Sequence, residues 1–151
     1  MLVRRCTRVQ RLDLIAWSVA AAGLAIALAA QALGYHQGFG STTFRAVQIG
    51  GRLIAPLALC WGLAEVVGRT FLARFGSRLA LLALFVIGSV ILVLDPLASV
   101  TFSTAWPAAA TYYEPIPNAV LLLIAVATAG WAVVALAVAG VRARGEPGWR
   151  G

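Results

Sequence analysis

The stretch 48-QIGGRLIAPLALCWGLAEVVGR-69 decides how the chain is read. It is apolar enough to cross a membrane, yet Arg52 and Glu65 enclose only twelve uncharged residues and Pro56 stands one helical turn after Arg52. Along a helix those two charges lie about 20 Å apart, less than the hydrocarbon core of about 30 Å. A span from 47 to 68 therefore works if Arg52 reaches towards one interface and Glu65 towards the other.

The flanking sequence repeats the theme in cleaner form. Residues 14–34, LIAWSVAAAGLAIALAAQALG, carry no charge, and neither do 79–94 or 119–141. Across the 151 residues, 62% are hydrophobic and 11% charged, against about 45–50% and about 25% in a soluble domain. The expected fold is an all-α integral membrane bundle of four transmembrane helices, about 14–34, 47–68, 79–94 and 119–141, forming a single domain. Small residues at four-residue spacing, such as Ala16/Ala20 and Gly23/Ala27, predict close helix contacts.

The basic residues are all arginine, twelve of them, with a net charge of +7. In a soluble chain that excess would suggest nucleic acid, but here the arginines flank apolar runs. Arg4, Arg5, Arg8 and Arg11 precede the first span, Arg69, Arg74 and Arg78 separate the second from the third, and Arg142, Arg144 and Arg150 follow the fourth. Ten arginines thus share one side, which the positive-inside rule places in the cytoplasm with both termini. Tyr35, Phe39, Phe44, Phe102, Trp106, Tyr112 and Tyr113 fall in or beside the two opposite loops, as an interfacial aromatic belt would. A cleaved signal peptide is the competing reading of the first span, since Ala27-Leu28-Ala29 follows an apolar core.

The connection from Asp95 to Asn118, DPLASVTFSTAWPAAATYYEPIPN, is too polar and proline-broken to span. It reads as an ordered outer loop, extended over Glu114 to Pro117, with Asn118 capping the last helix.

Chemistry is bounded by what is missing. His36 alone cannot supply a two-histidine haem site, no residue cluster has metal-ligand spacing, and without lysine there is neither a phosphate-loop lysine nor a Schiff base. Cys6 and Cys60 belong to different depths and read as reduced structural thiols. No catalytic residue, metal or cofactor is expected. The remaining candidates are ionisable groups at membrane depth. Glu65 precedes Arg69 by four residues, the favourable order for a helical ion pair. Pro56 removes the amide that would bond the Arg52 carbonyl, and Gly50 and Gly51 loosen that turn. Asp95 lies at a similar predicted depth, so an Arg52–Asp95 contact is expected, with Tyr35 and His36 nearby; two separately snorkelling charges are the alternative. Arg52, Asp95, Tyr35, His36 and Glu65 form the candidate ligand or coupling site.

The segment 62-GLAEVVGRTFLARFGSRLALL-82 resembles the second helix and following turn of DoxX-like four-helix membrane proteins, through Gly62, Glu65, Gly68, Gly76 and Arg78. It covers one helical hairpin, and Arg69 and Arg74 interrupt a turn that is apolar in that family. The resemblance implies a membrane partner of sulfur or thiol oxidoreductase systems.

From the residues themselves, the expected function is a non-enzymatic accessory, assembly or scaffold subunit in the lipid bilayer, with a membrane protein partner or a second copy of itself and no nucleic acid. Arginine in place of lysine and the richness in alanine suggest a GC-rich source and a bacterial inner membrane. The alternative is a small-molecule or proton-handling component with a polar cavity at Arg52, Asp95 or Glu65. An enzyme acting on lipid at the outer face would require His36, Asp95, Glu114 or the tyrosines to converge.

Overall fold

The computed structural model describes residues 2–68, 70–95, 97 and 112–145, with side chains given between Leu12 and Val141. All regular elements among them are helices: α1 (Leu2–Gln37), α2 (Ser41–Gln48), a π-helical segment (Ile49–Ile54), α3 (Ala55–Val67), α4 (Phe71–Leu94) and α5 (Pro115–Gly145). Four stretches are long and apolar enough to cross a membrane: Leu12–Gln37, Ser41–Val67, Phe71–Leu94 and Pro115–Val141. The four expected spans are present, each starting earlier than expected.

Each shifted end has a local cause. The third helix starts eight residues before the expected Leu79, because the Thr70 hydroxyl accepts the Ala73 amide at 3.2 Å and caps it. Arg74 and Arg78 consequently lie inside the helix. The last helix starts at Pro115, not Ala119: prolines are tolerated in a first turn, where amides have no intrahelical partner. Asn118 is no cap, since its amide bonds the Glu114 carbonyl at 3.4 Å. The expected ordered outer loop falls largely on 98–111, outside the described residues.

At the α1–α2 corner, Gly38 takes φ +90°, a backbone that favours glycine. The next residue, Phe39, folds back onto Gly34, where a Cβ would stand 2.4 Å from the ring. Gly40 then begins α2, its amide donating to the Thr43 hydroxyl at 2.8 Å.

In lipid, apolar faces gain little from each other, so association depends on close packing. α1 uses a stripe of small residues for it: Ala16, Ala20, Gly23, Ala27, Ala30 and Gly34 are all buried, at alternating four- and three-residue steps along one helix face. The stripe lies against α2, the π segment and α3. The tightest point is Gly23 on Gly50, where a Cβ on Gly50 would meet the Gly23 carbonyl oxygen at 2.6 Å. On the other side of α3, Leu53, Leu57, Leu92, Leu121 and Ile124 form an apolar core with Phe44, Tyr112 and Tyr113. Gly88 admits Leu53 and Ile124 to its surface.

α3 is therefore the central element, with α1 on one flank and α4 and α5 on the other; α1 makes no broad contact with α4 or α5. The expected bend at Pro56 takes the form of the π segment. There the Ala55 amide bonds the Gly50 carbonyl five residues back, the wider repeat of a π turn.

Candidate functional site

Two polar clusters lie at opposite ends of the helices, with the apolar core between them. At the end bearing the α3–α4 turn, the Glu65 side chain is 1% exposed. Arg78 grips it with two donors, Nη2 to Oε2 at 2.7 Å and Nε to Oε1, a bidentate charge-assisted geometry. Trp61 Nε1 adds a third donor to Oε1 at 3.0 Å. Arg74 turns to the other side, its Nε bonding the Gly68 carbonyl at 2.6 Å and closing the end of α3. Both Glu65 oxygens are thereby taken by Arg78 and Trp61; Arg69, the expected partner, lies outside the described residues. The early start of α4 brings Arg78 alongside α3 within one helical hairpin. Two of the residues behind the DoxX-like resemblance, Glu65 and Arg78, thus share one contact.

At the other end, Arg45 of α2 reaches the close of α4. Its Nη2 donates to the Asp95 carbonyl at 2.7 Å. The expected Arg52–Asp95 contact is absent from the ion pairs and hydrogen bonds of the described residues. Seven residues separate Arg45 from Arg52, which in an unbroken α-helix would put both on nearly one face. The π segment inserts an extra residue into that interval and turns Arg52 away. Arg52 is exposed and lines a groove with Pro56 and Asn118. Tyr35 and His36 are exposed as well, and Tyr35 stacks edge-on against Phe39 at 5.5 Å. The five sequence candidates therefore separate into four places.

Apart from Asp95, the residues clustered at this end are not among the sequence candidates. Phe44 packs against Tyr112 and Tyr113, with ring centres 5.4 and 5.2 Å apart. Gln48, one turn further along α2, is 1% exposed. Gln48 Oε1, Arg45 Nε, Asp95 Oδ2 and Tyr113 Oη are buried without a hydrogen-bond partner among the described residues. Burial pushes the Tyr113 phenol up to about 12, with Arg45 pulling it down and Asp95 adding a smaller upward push. A signal for part of this was present: Arg45 and Gln48 are three apart and so share a helix face. The approach of Arg45 to Asp95 and Tyr113, 50 and 68 residues away, could not be read from spacing.

Between the two clusters lie two hydroxyls, a thiol and an indole. Thr128 bonds back to the Ile124 carbonyl at 2.7 Å, and Ser89 Oγ is buried without a partner. Cys60 directs its thiol at the Thr128 carbonyl, 3.5 Å away, while Trp131 Nε1 bonds the Cys60 carbonyl at 3.3 Å. These contacts stitch α3 to α5. No group of three His, Cys, Asp or Glu side chains gathers in metal-binding geometry among the described residues. His36 and Glu114 are both exposed, whereas Tyr113 is buried and Asp95 half-buried. Comparison with known proteins finds no family model, no curated protein and no solved structure that matches this chain.

Proposed function

We propose that this chain is a non-enzymatic accessory, assembly or scaffold subunit of a bacterial inner-membrane complex, acting through its surfaces and not through a path across itself. The observation that carries the reading is the separation of its polar groups. The Glu65–Arg78–Trp61 contact at one end is satisfied within the hairpin, and the apolar layer of Leu53, Leu57, Leu92, Leu121 and Ile124 stands between it and the Arg45 cluster. A proton or solute route needs polar groups or water through that layer.

The test is affinity purification of the full chain from its native membrane in mild detergent. A stoichiometric membrane protein partner should remain bound. A lone, monodisperse protein would count against the accessory reading, and an oxidoreductase as the partner would favour the role implied by the DoxX-like resemblance.

A second reading has its own observation. Four polar atoms, on Arg45, Gln48, Asp95 and Tyr113, are buried at one end without a partner among the described residues, and buried polar groups ordinarily find partners in protein, water or ligand. They support a site for a small polar molecule at the outer face. Thermal-shift screening of polar metabolites should then give a stabilising hit that Asp95→Asn and Gln48→Leu both weaken; a hit indifferent to both substitutions would remove this reading.

A further inference from the structure

We infer that the groove between α3 and α5 binds one anionic phospholipid, its phosphate at Arg52 and one acyl chain running along the groove to Trp17. The cavity is about 760 Å³, within the range of about 300–1,000 Å³ of sites built for small ligands. One wall is a single face of the second span: Arg52, Pro56, Leu59 and Leu63 recur at four- and three-residue steps. The facing wall is Asn118, Leu122, Ala125 and Ala129 of α5, and the small side chains there make it concave. Trp17 of α1 closes the far end, its indole lying on Gly62, where a Cβ would stand 2.1 Å from Nε1.

Polarity and length select the occupant. Arg52 and Asn118 sit together at one end, and every groove residue below Asn118 is apolar except Cys60 and Thr128, which already hydrogen-bond. Arg52 is exposed and holds no ion pair among the described residues, and no carboxylate lines the groove. A guanidinium at membrane depth needs an anion, and a phosphate diester meets it with two parallel hydrogen bonds. From Arg52 to Leu63 the groove runs about 17 Å, and from Asn118 to Ala132 about 21 Å. Half a hydrocarbon core is about 15 Å and the whole about 30 Å, so the groove runs somewhat deeper than one leaflet and stops short of the full span that a transmembrane partner helix would follow. A helix of about 10 Å diameter would also stand out of a cavity this size. The π segment is what makes the arrangement: it turns Arg52 off the face of Arg45 and onto the head of this stripe.

Native mass spectrometry of the full chain in mild detergent tests the inference, using phosphatidylglycerol and phosphatidylcholine of identical acyl chains as probes. The wild type should retain one phosphatidylglycerol about tenfold more strongly than phosphatidylcholine, the effect of one charge-assisted contact. Arg52→Gln should remove the preference, and Arg52→Lys should keep part of it. Ala129→Phe, at an exposed position on the groove wall, should displace both lipids without changing the melting temperature. Equal retention of the two lipids, a preference that survives Arg52→Gln, or a second polypeptide lost on Ala129→Phe in place of lipid would each overturn it.

Discussion

Arg78 and Glu65 show how a polar pair inside a membrane protein distributes its burden unequally. Arg78 keeps 36% of its side chain exposed, while Glu65 keeps 1%. Deprived of its partner, the arginine can extend towards headgroups along its aliphatic stem; the carboxylate cannot move away. Arg78→Gln should accordingly cost about 3–5 kcal/mol, the range for leaving one buried charge unpaired. Glu65→Gln should cost about 1–3 kcal/mol, because a neutral amide can still accept from Trp61 and Arg78. Thermal melts in one detergent compare the two, and an equal or reversed order would show that the pair does not stabilise the hairpin in this way. Tyr113 offers a second measurement at this scale. Its phenol is pushed up to about 12 from the ordinary 10.0, so the neutral form is the one the fold holds. The stabilisation is complete below pH of about 10 and is lost as pH rises through about 12. Tyrosinate absorbance should show a late-titrating component that is absent in Tyr113→Phe; an unchanged titration curve in that variant's difference spectrum at high pH would place Tyr113 in water.

At the scale of elements, glycine positions test whether the helix contacts are as close as the backbone places them. A Cβ on Gly50 would meet the Gly23 carbonyl at 2.6 Å, whereas one on Gly130 meets nothing within 4 Å. Gly50→Ala should destabilise by about 1–3 kcal/mol, as overpacking does. Gly130→Ala should be neutral or stabilising by up to about 1 kcal/mol, since alanine is the better helix former. Parallel melts that fail to separate these two variants would mean α1 does not lie tightly on the π segment. These contacts also show what was legible beforehand. Four spans followed from apolar length alone, and the spacing of Ala16, Ala20, Gly23 and Ala27 announced a packing stripe. What spacing could not show was phase. Pro56 and the glycine pair marked an irregular turn, but whether it resolved as a kink or as a π segment sets which way Arg52 points, and that depends on α1 pressing against Gly50. Likewise Glu65 is held by Arg78, thirteen positions on, because Thr70 caps α4 early enough to lay the hairpin's two polar residues side by side. Local sequence named the charged residues; tertiary contacts chose their partners.

For the whole molecule, the decisive question is which end faces the cytoplasm and whether α1 stays attached. One end of the bundle gathers the α1–α2 corner, Asp95 and Tyr112–Tyr113; the other has the α3–α4 turn with Arg74 and Arg78, the start of α1 and the end of α5. α1 runs as helix from Leu2, so Arg4, Arg5, Arg8 and Arg11 extend beyond the span that begins at Leu12, on the same end as that turn. Positive residues near span ends stay in the cytoplasm, so a phosphatase reporter that matures only outside should be active when inserted after Leu97 and inactive after Gly145. The small-residue stripe bears on the signal-peptide alternative. Cleavage after Ala29 would remove Ala16, Ala20, Gly23 and Ala27 from beneath α3 and strip the Gly23–Gly50 approach out of the fold. An amino-terminal epitope should therefore be recovered on the membrane-bound chain at full length. Loss of that epitope with the remainder still folded would show that α3 is stable with its α1 flank bare, and the close packing of the first two spans would no longer be what holds them together.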